Sequence, residues 1–300
     1  MSVAFLILLV YVVSVLQMHY RGSVRFPAFR QLLTHTNYLA PYNLLMDAFS
    51  ALPNKPILDC DDIDELAILR ENWEIIRDEA VSLYDIGSIK RSDKLDDAGF
   101  NSFFKFGWTR FYLKWYGDVL PSACRDCPNT VALLSKTPNI KAAMFAMLPA
   151  GGLLTPHRDP FAGSLRYHLG LLTPNSDECF ILVDGQKYSW RDGDDVLFDE
   201  TFIHEAHNKT ERDRIILFCD VRRPMRIELI NRLNAFMAGT VARASATGNE
   251  EGEEIGFLNK LFGKLYSVRT ISRRFKKWNI VAYIMVKYSL YIGLLYLIFF

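Results

Sequence analysis

Four of the six histidines in this 300-residue chain fall between residues 157 and 207. The first opens His157-Arg158-Asp159, an H-x-D run that follows a turn at Pro149-Ala150-Gly151-Gly152. Residues i and i+2 of an extended segment project to the same side, so His157 and Asp159 can grip one metal ion from adjacent positions. His204, in Phe202-Ile203-His204-Glu205, supplies a third ligand from farther along the chain. Two imidazoles and a carboxylate make a facial set suited to Fe(II), with three coordination positions left for other reactants. Taken alone the pattern is weak, because a His–Asp ion pair in a turn satisfies it equally well.

A second group of residues adds weight. Arg214 opens the apolar run Ile215-Ile216-Leu217-Phe218 and shares strand parity with Ile216 and Phe218. It therefore faces a cavity or breaks the core pattern, and a buried guanidinium calls for a carboxylate that its planar fork can bind. Arg166 and His168 alternate with Leu165, Tyr167 and Leu169, so both polar groups share one strand face. That face is either solvated or lines a pocket, and the nearby ligand candidates favour the pocket. His207 reads as a surface residue rather than a support for the metal ligands. Cys124 and Cys127 form a CxxC, but no second ligand pair or thioredoxin-like context accompanies them. Free thiols are expected there and at Cys60, Cys179 and Cys219.

Holding these groups in place requires sheets. Short strands are expected at 142–148, 165–172, 179–183, 187–190, 196–199 and 214–221, separated by turn residues such as Pro174-Asn175-Ser176 and Asp192-Gly193. Asp184-Gly185 between two of them is a strong hairpin signal. Many short strands without alternating helices predict a barrel or double-sheet jelly roll, mainly β with flanking helices. A helix is expected over 61–84, where Leu66, Leu69, Trp73, Ile76 and Ala80 recur at helical spacing behind an acidic start. The aromatic-rich stretch 98–120 reads as a core seam. Helical pattern returns over 225–242, and 255–278 is basic and amphipathic, suited to an anionic membrane surface.

A net charge of +1 gives no pull toward nucleic acid. The 50% hydrophobic content gathers at the termini: residues 1–18 carry no charge, and residues 279–300 carry only Lys287. Both are expected as transmembrane helices. The domain plan is then a span at 1–18, a connecting segment at 19–60, a catalytic domain at 61–224, a basic helical linker at 225–278 and a span at 279–300. Arg21, Arg25 and Arg30 follow the first span, and Arg269, Arg273, Arg274, Lys276 and Lys277 precede the second. Positive flanks stay in the cytoplasm, so the central body is expected there.

Four stretches carry a resemblance: His157-Arg158-Asp159-Pro160, Leu165-Arg166-Tyr167-His168-Leu169-Gly170-Leu171, Phe198 through Glu205, and Arg212-Asp213-Arg214-Ile215-Ile216-Leu217. With Asn72 through Glu79 upstream, they resemble the aspartyl/asparaginyl β-hydroxylase family over roughly residues 65–225. The resemblance implies a double-stranded β-helix that uses Fe(II), 2-oxoglutarate and O2 to hydroxylate an unactivated C–H bond. It makes His157 and His204 iron ligands, gives Arg214 the distal carboxylate of 2-oxoglutarate, and puts Arg166 and His168 in the cosubstrate and substrate pocket. One departure stands out: the animal protein hydroxylases of this family have Gly where Asp159 stands, so a full triad is expected here. Membrane segments around a cytoplasmic body are similar to the bacterial lipid A hydroxylases. That likeness implies the bacterial inner membrane as location and an acyl chain of lipid A, or of another membrane lipid, as substrate, attacked next to its carbonyl. A protein Asp or Asn side chain as substrate, or a non-catalytic carboxylate sensor, are the alternatives.

Overall fold

The computed structural model describes residues 3–89, 97, 100, 103–253, 255–283, 285, 286 and 289. Its ten strands are β1 (Ile57–Leu58), β2 (Thr109–Trp115), β3 (Ile140–Leu148), β4 (Leu153–His157), β5 (Ser164–Leu172), β6 (Cys179–Val183), β7 (Gln186–Ser189), β8 (Asp195–Phe198), β9 (His204–Asn208) and β10 (Arg214–Arg222). They form a six-stranded sheet in the order β1-β8-β5-β10-β3-β2 and a four-stranded sheet in the order β4-β9-β6-β7. All pairings are antiparallel, giving the expected two-sheet, mainly β architecture.

Strand alternation divides the apolar residues between two cores. On β10, Ile215, Leu217, Cys219 and Val221 join Leu165, Tyr167, Leu169 and Leu171 of β5 on the outer face of the large sheet. The helix Trp73–Asp85 covers that face with Ile76, Ala80 and Leu83. The opposite parity, including Ile216 and Phe218, turns inward to meet Ile181, Val183 and Ala206 of the small sheet. The β6–β7 hairpin turns at Asp184-Gly185 with φ of 50° and 82°, both left-handed as its two-residue turn demands. The helix expected over 61–84 is broken: 3-10 turns occupy Cys60–Asp62 and Asp64–Leu66, and the main helix starts only at Trp73.

The helices used below are α1 (Val3–Tyr20), α2 (Ala40–Phe49), α3 (Trp73–Asp85), α4 (Glu228–Met237) and α5 (Phe257–Trp278). Residues 19–60, expected as a connector, instead hold α2, β1 and the short helix Ala28–Leu33. The expected N-terminal span is also corrected. Among the described residues no helix is long and apolar enough to cross a membrane. At 18 residues, α1 rises about 27 Å, short of the ~30 Å hydrocarbon layer. Its C-terminal end is packed on the domain, with Ser14, Val15 and Met18 buried. All of residues 290–300, half of the second expected span, lie outside the described residues, as do 284, 287 and 288 within it.

Candidate metal centre

Antiparallel pairing of β4 with β9 sets His157 opposite His204, and their ring centroids are 4.2 Å apart. Asp159 lies just beyond β4, where its backbone N–H donates to Glu200 O at 2.9 Å. One ligand atom from each of His157, Asp159 and His204 lies within 4.8 Å of the others. Both imidazoles are oriented through Nδ1, which donates to Thr155 O at 2.7 Å in His157 and to Phe202 O at 3.0 Å in His204. A carbonyl only accepts, so the proton sits on Nδ1 and the Nε2 lone pair is left for a metal. Burial, with His157 beside it, pushes His204 down to about 3, so it is a neutral donor at any working pH. Burial would raise the Asp159 carboxyl, but Arg166, His204 and His157 outweigh it and keep it below the usual carboxylate range. His204 and Asp159 therefore present the protonation states that a divalent cation requires.

Arg166 and Arg214, which sequence parity put on the same inward face, differ sharply in their surroundings. Arg166 donates to Asp159 Oδ2 at 2.9 Å, to Asp220 Oδ1 at 2.8 Å and to Glu200 Oε2, and stacks over Phe218 at 3.8 Å. Tyr116 and Ser164 complete this cage, donating to Asp220 Oδ2 at 2.9 Å and Glu200 Oε1 at 2.8 Å. Burial drives the Glu200 carboxyl well above its ordinary value despite Arg166. Arg214 is 2% exposed and pairs with no carboxylate among the described residues. It lies over the Trp190 ring at 4.3 Å, its Nε has no hydrogen-bond partner, and burial lowers it to about 10. It is thus a cation without a counterion, in a setting where such a charge is costly. Beside it, both ring nitrogens of buried His168 also lack partners among the described residues, and burial with Arg214 nearby keeps the ring neutral.

These groups line one cavity between the sheets, with His157, His204, Arg166, His168 and Arg214 set among Phe103, Trp108, Leu154, Ile181, Phe198, Ile216 and Phe218. All six site residues named from the sequence are within this neighbourhood. His207 has the opposite parity on β9, stacks on Phe180 and pairs with Glu205 at 3.3 Å.

A sequence model described as aspartyl/asparaginyl beta-hydroxylase matches residues 70–224, just over half the chain. The chain belongs to this family. An ornithine lipid ester-linked acyl 2-hydroxylase of Rhizobium tropici is 38% identical over 120 residues, covering 40% of this chain and 43% of that protein. The human aspartyl/asparaginyl beta-hydroxylase is 29% identical over 52% of this chain and 21% of its own length. Human aspartate beta-hydroxylase domain-containing protein 2 is 31% identical over 58% of this chain and 48% of its own. This beta-hydroxylase family member therefore matches less than half the length of each of these relatives.

Several residues around the centre were not apparent from the sequence. Arg158, inside the H-x-D run, points away from the cavity and donates to Met18 O at the end of α1 at 2.8 Å. Arg30 donates to Pro156 O at 3.0 Å, and Asn43 of α2 to Pro160 O at 2.9 Å. Arg21 reaches the loop before His204, pairing with Asp199 at 2.7 Å and with Asp47 of α2 at 2.9 Å. The N-terminal fifty residues thus brace both ligand-bearing loops. The basic residues after α1 were a hint of this, but one equally suited to a membrane flank.

Proposed function

We propose that this chain is an Fe(II)- and 2-oxoglutarate-dependent dioxygenase that hydroxylates an acyl chain of a membrane lipid at the carbon next to the carbonyl. Lipid A and ornithine lipid are the leading substrates, at the bacterial inner membrane with the active site on the cytoplasmic side. The observation that carries the reading is Arg214: a buried guanidinium without a counterion, opening into the cavity that also holds the His157, Asp159 and His204 cluster. Its fork matches the distal carboxylate of a keto diacid whose other end reaches the metal.

His157, Asp159 and His204 would hold the iron, which when bound supplies O2 activation coupled to decarboxylation of 2-oxoglutarate. The chain's own part is to bind, orient and shield. Neutral His168 offers a donor and an acceptor to whatever occupies the cavity beside Arg214. Asp159 stays ionised as a ligand. Phe103, whose ring lies 4.8 Å from His157, and the apolar walls keep water from the reacting C–H bond. The same walls favour an alkyl chain over a polar side chain, and the lipid-modifying relative supports that choice. The test is mass spectrometry of lipids from cells with and without this chain. A gain of one oxygen atom in a single acyl chain, placed next to the carbonyl by fragmentation, is expected. Oxygen appearing only on Asp or Asn of a peptide would overturn the lipid assignment.

A further inference from the structure

Helix α4 turns a mixed side inward, with Asn234 buried beside half-buried Ile230, Asn231 and Met237. Its one fully buried residue is Asn234, which accepts from Tyr42 Oη of α2 at 2.9 Å and donates to Gly163 O at 2.9 Å and Arg223 O at 3.4 Å. Leu229, Leu233 and Phe236 occupy the other face at i, i+4 and i+7, exposed by 73%, 36% and 64%. Ile227, just before the helix, is also exposed. A helix on a water-facing surface turns its apolar stripe to the core; here that stripe is turned out. Scattered exposed leucines need no explanation, but a continuous stripe marks a surface that something covers.

Two further observations say what covers it. Helix α1 is uncharged from Val3 to Gln17 and exposes Phe5, Ile7, Leu8 and their neighbours. Both helices are bound to α2: Arg21, just after α1, through Asp47, and α4 through Tyr42. Helices α1 and α4 are therefore both anchored on one helix. Exposed Arg226 and Arg232 border the α4 stripe, with Glu228 the one acid on the helix. Exposed apolar side chains flanked by Arg226 and by Arg232, which pairs with Glu228 one turn away, fit the boundary between lipid headgroups and acyl chains.

We propose that α4 is an interfacial membrane-docking helix, with Leu229, Leu233 and Phe236 immersed in a bilayer containing anionic lipid. Asn234 then ties the docking helix to Gly163, four residues beyond Asp159, so the metal centre is held next to the surface that carries the lipid. The choice of a bilayer accords with the lipid-substrate reading, but the docking is measurable without turnover.

Cys124 is the exposed cysteine, and the other four are buried. In the full-length chain carrying Cys124→Ser, single substitutions Leu229→Cys, Leu233→Cys and Phe236→Cys would be labelled with a nitrobenzoxadiazole probe. The chain would be reconstituted into vesicles of phosphatidylethanolamine and phosphatidylglycerol containing spin-labelled lipid. Blue-shifted emission and quenching are expected at all three sites, from a depth of about 5–10 Å. Probes at Ile75→Cys and Ile86→Cys, exposed on and just after α3, should stay unquenched. Quenching at the α4 sites no stronger than at these controls would overturn the proposal. So would a Leu233→Cys chain that cross-links to a second copy, which would make the stripe a dimer face. Quenching with oxygen delivered only to peptide would sink the lipid-substrate reading and leave the docking intact; lipid hydroxylation without quenching would do the reverse.

Discussion

Arg166 shows how a guanidinium on the cavity wall can serve a site by holding a metal ligand. Three carboxyl groups surround it, one of them on the candidate ligand Asp159, and they engage its Nε and Nη2 before any cosubstrate arrives. The sequence resemblance placed it in the cosubstrate pocket; its contacts make it a brace for the third metal ligand. Arg166→Gln should weaken Fe(II) or Co(II) binding by about 10–100-fold, the usual range for a lost ligand support. In an Asp159→Gly background the same substitution should have little further effect on metal affinity, because its route to the metal has gone. An equal loss in both backgrounds would show that Arg166 merely holds the fold. Arg214 makes the contrasting case. Arg214→Lys keeps the charge but loses the fork, so 2-oxoglutarate affinity should fall about 10-fold or more while metal affinity stays unchanged. An unaltered 2-oxoglutarate titration would make Arg214 structural. Parity along β5 and β10 made both arginines visible in the sequence as inward polar residues. It could not tell the paired one from the free one, because Glu200 and Asp220 lie 34 and 54 residues from Arg166.

At the level of elements, the strands that alternate between two cores were legible from their period, and the Asp184-Gly185 hairpin from its turn chemistry. β2, β4 and β9 were not. β2 buries both faces through most of its length and so loses its alternation; β4 and β9 carry proline, histidines and Asn208 where apolar residues would mark a strand. The N-terminal helices were misjudged because their partners lie in distant loops, as Arg21 shows. Burial alone would raise the Asp199 carboxyl, but Arg223 and Arg21 hold it well below its ordinary value. A depressed carboxylate adds stability above its unfolded value of about 4, and that stability drains away as pH falls toward the folded value. Arg21→Gln removes one of the two cations, so the Asp199 carboxyl should rise and acid unfolding should begin at higher pH. At neutral pH the loss should be about 3–5 kcal/mol, since the side chains of Asp47 and Asp199 are both buried. Circular dichroism against pH and urea titration would measure the two effects, and an unmoved acid midpoint would refute the pairing's role.

For the whole molecule, the two chain ends should not be equivalent. The sequence alone put both terminal segments outside the catalytic domain, as spans. Yet Met18 O receives Arg158 from inside the H-x-D run, and Val15 and Met18 are buried against the domain. Deleting residues 1–20 should lower Tm by roughly 5–10 °C and weaken metal binding. Deleting residues 280–300 should leave both nearly unchanged, since Ile280, Val281, Met285 and Val286 are exposed. Scanning calorimetry and metal titration of the two truncations would decide, and equal tolerance would restore the view of α1 as a mere tether. Strand β10 carries a different lesson, about inheritance. It begins at Arg214 and reaches Asp220 six residues later, about 20 Å away, with Ile216 and Phe218 between them on the same face. A lineage that gained or lost one residue within that stretch would turn everything beyond the change toward the wrong core. Length variation among descendants of this chain should therefore collect in the turns at 173–178 and 209–213, while β10 drifts only by substitution.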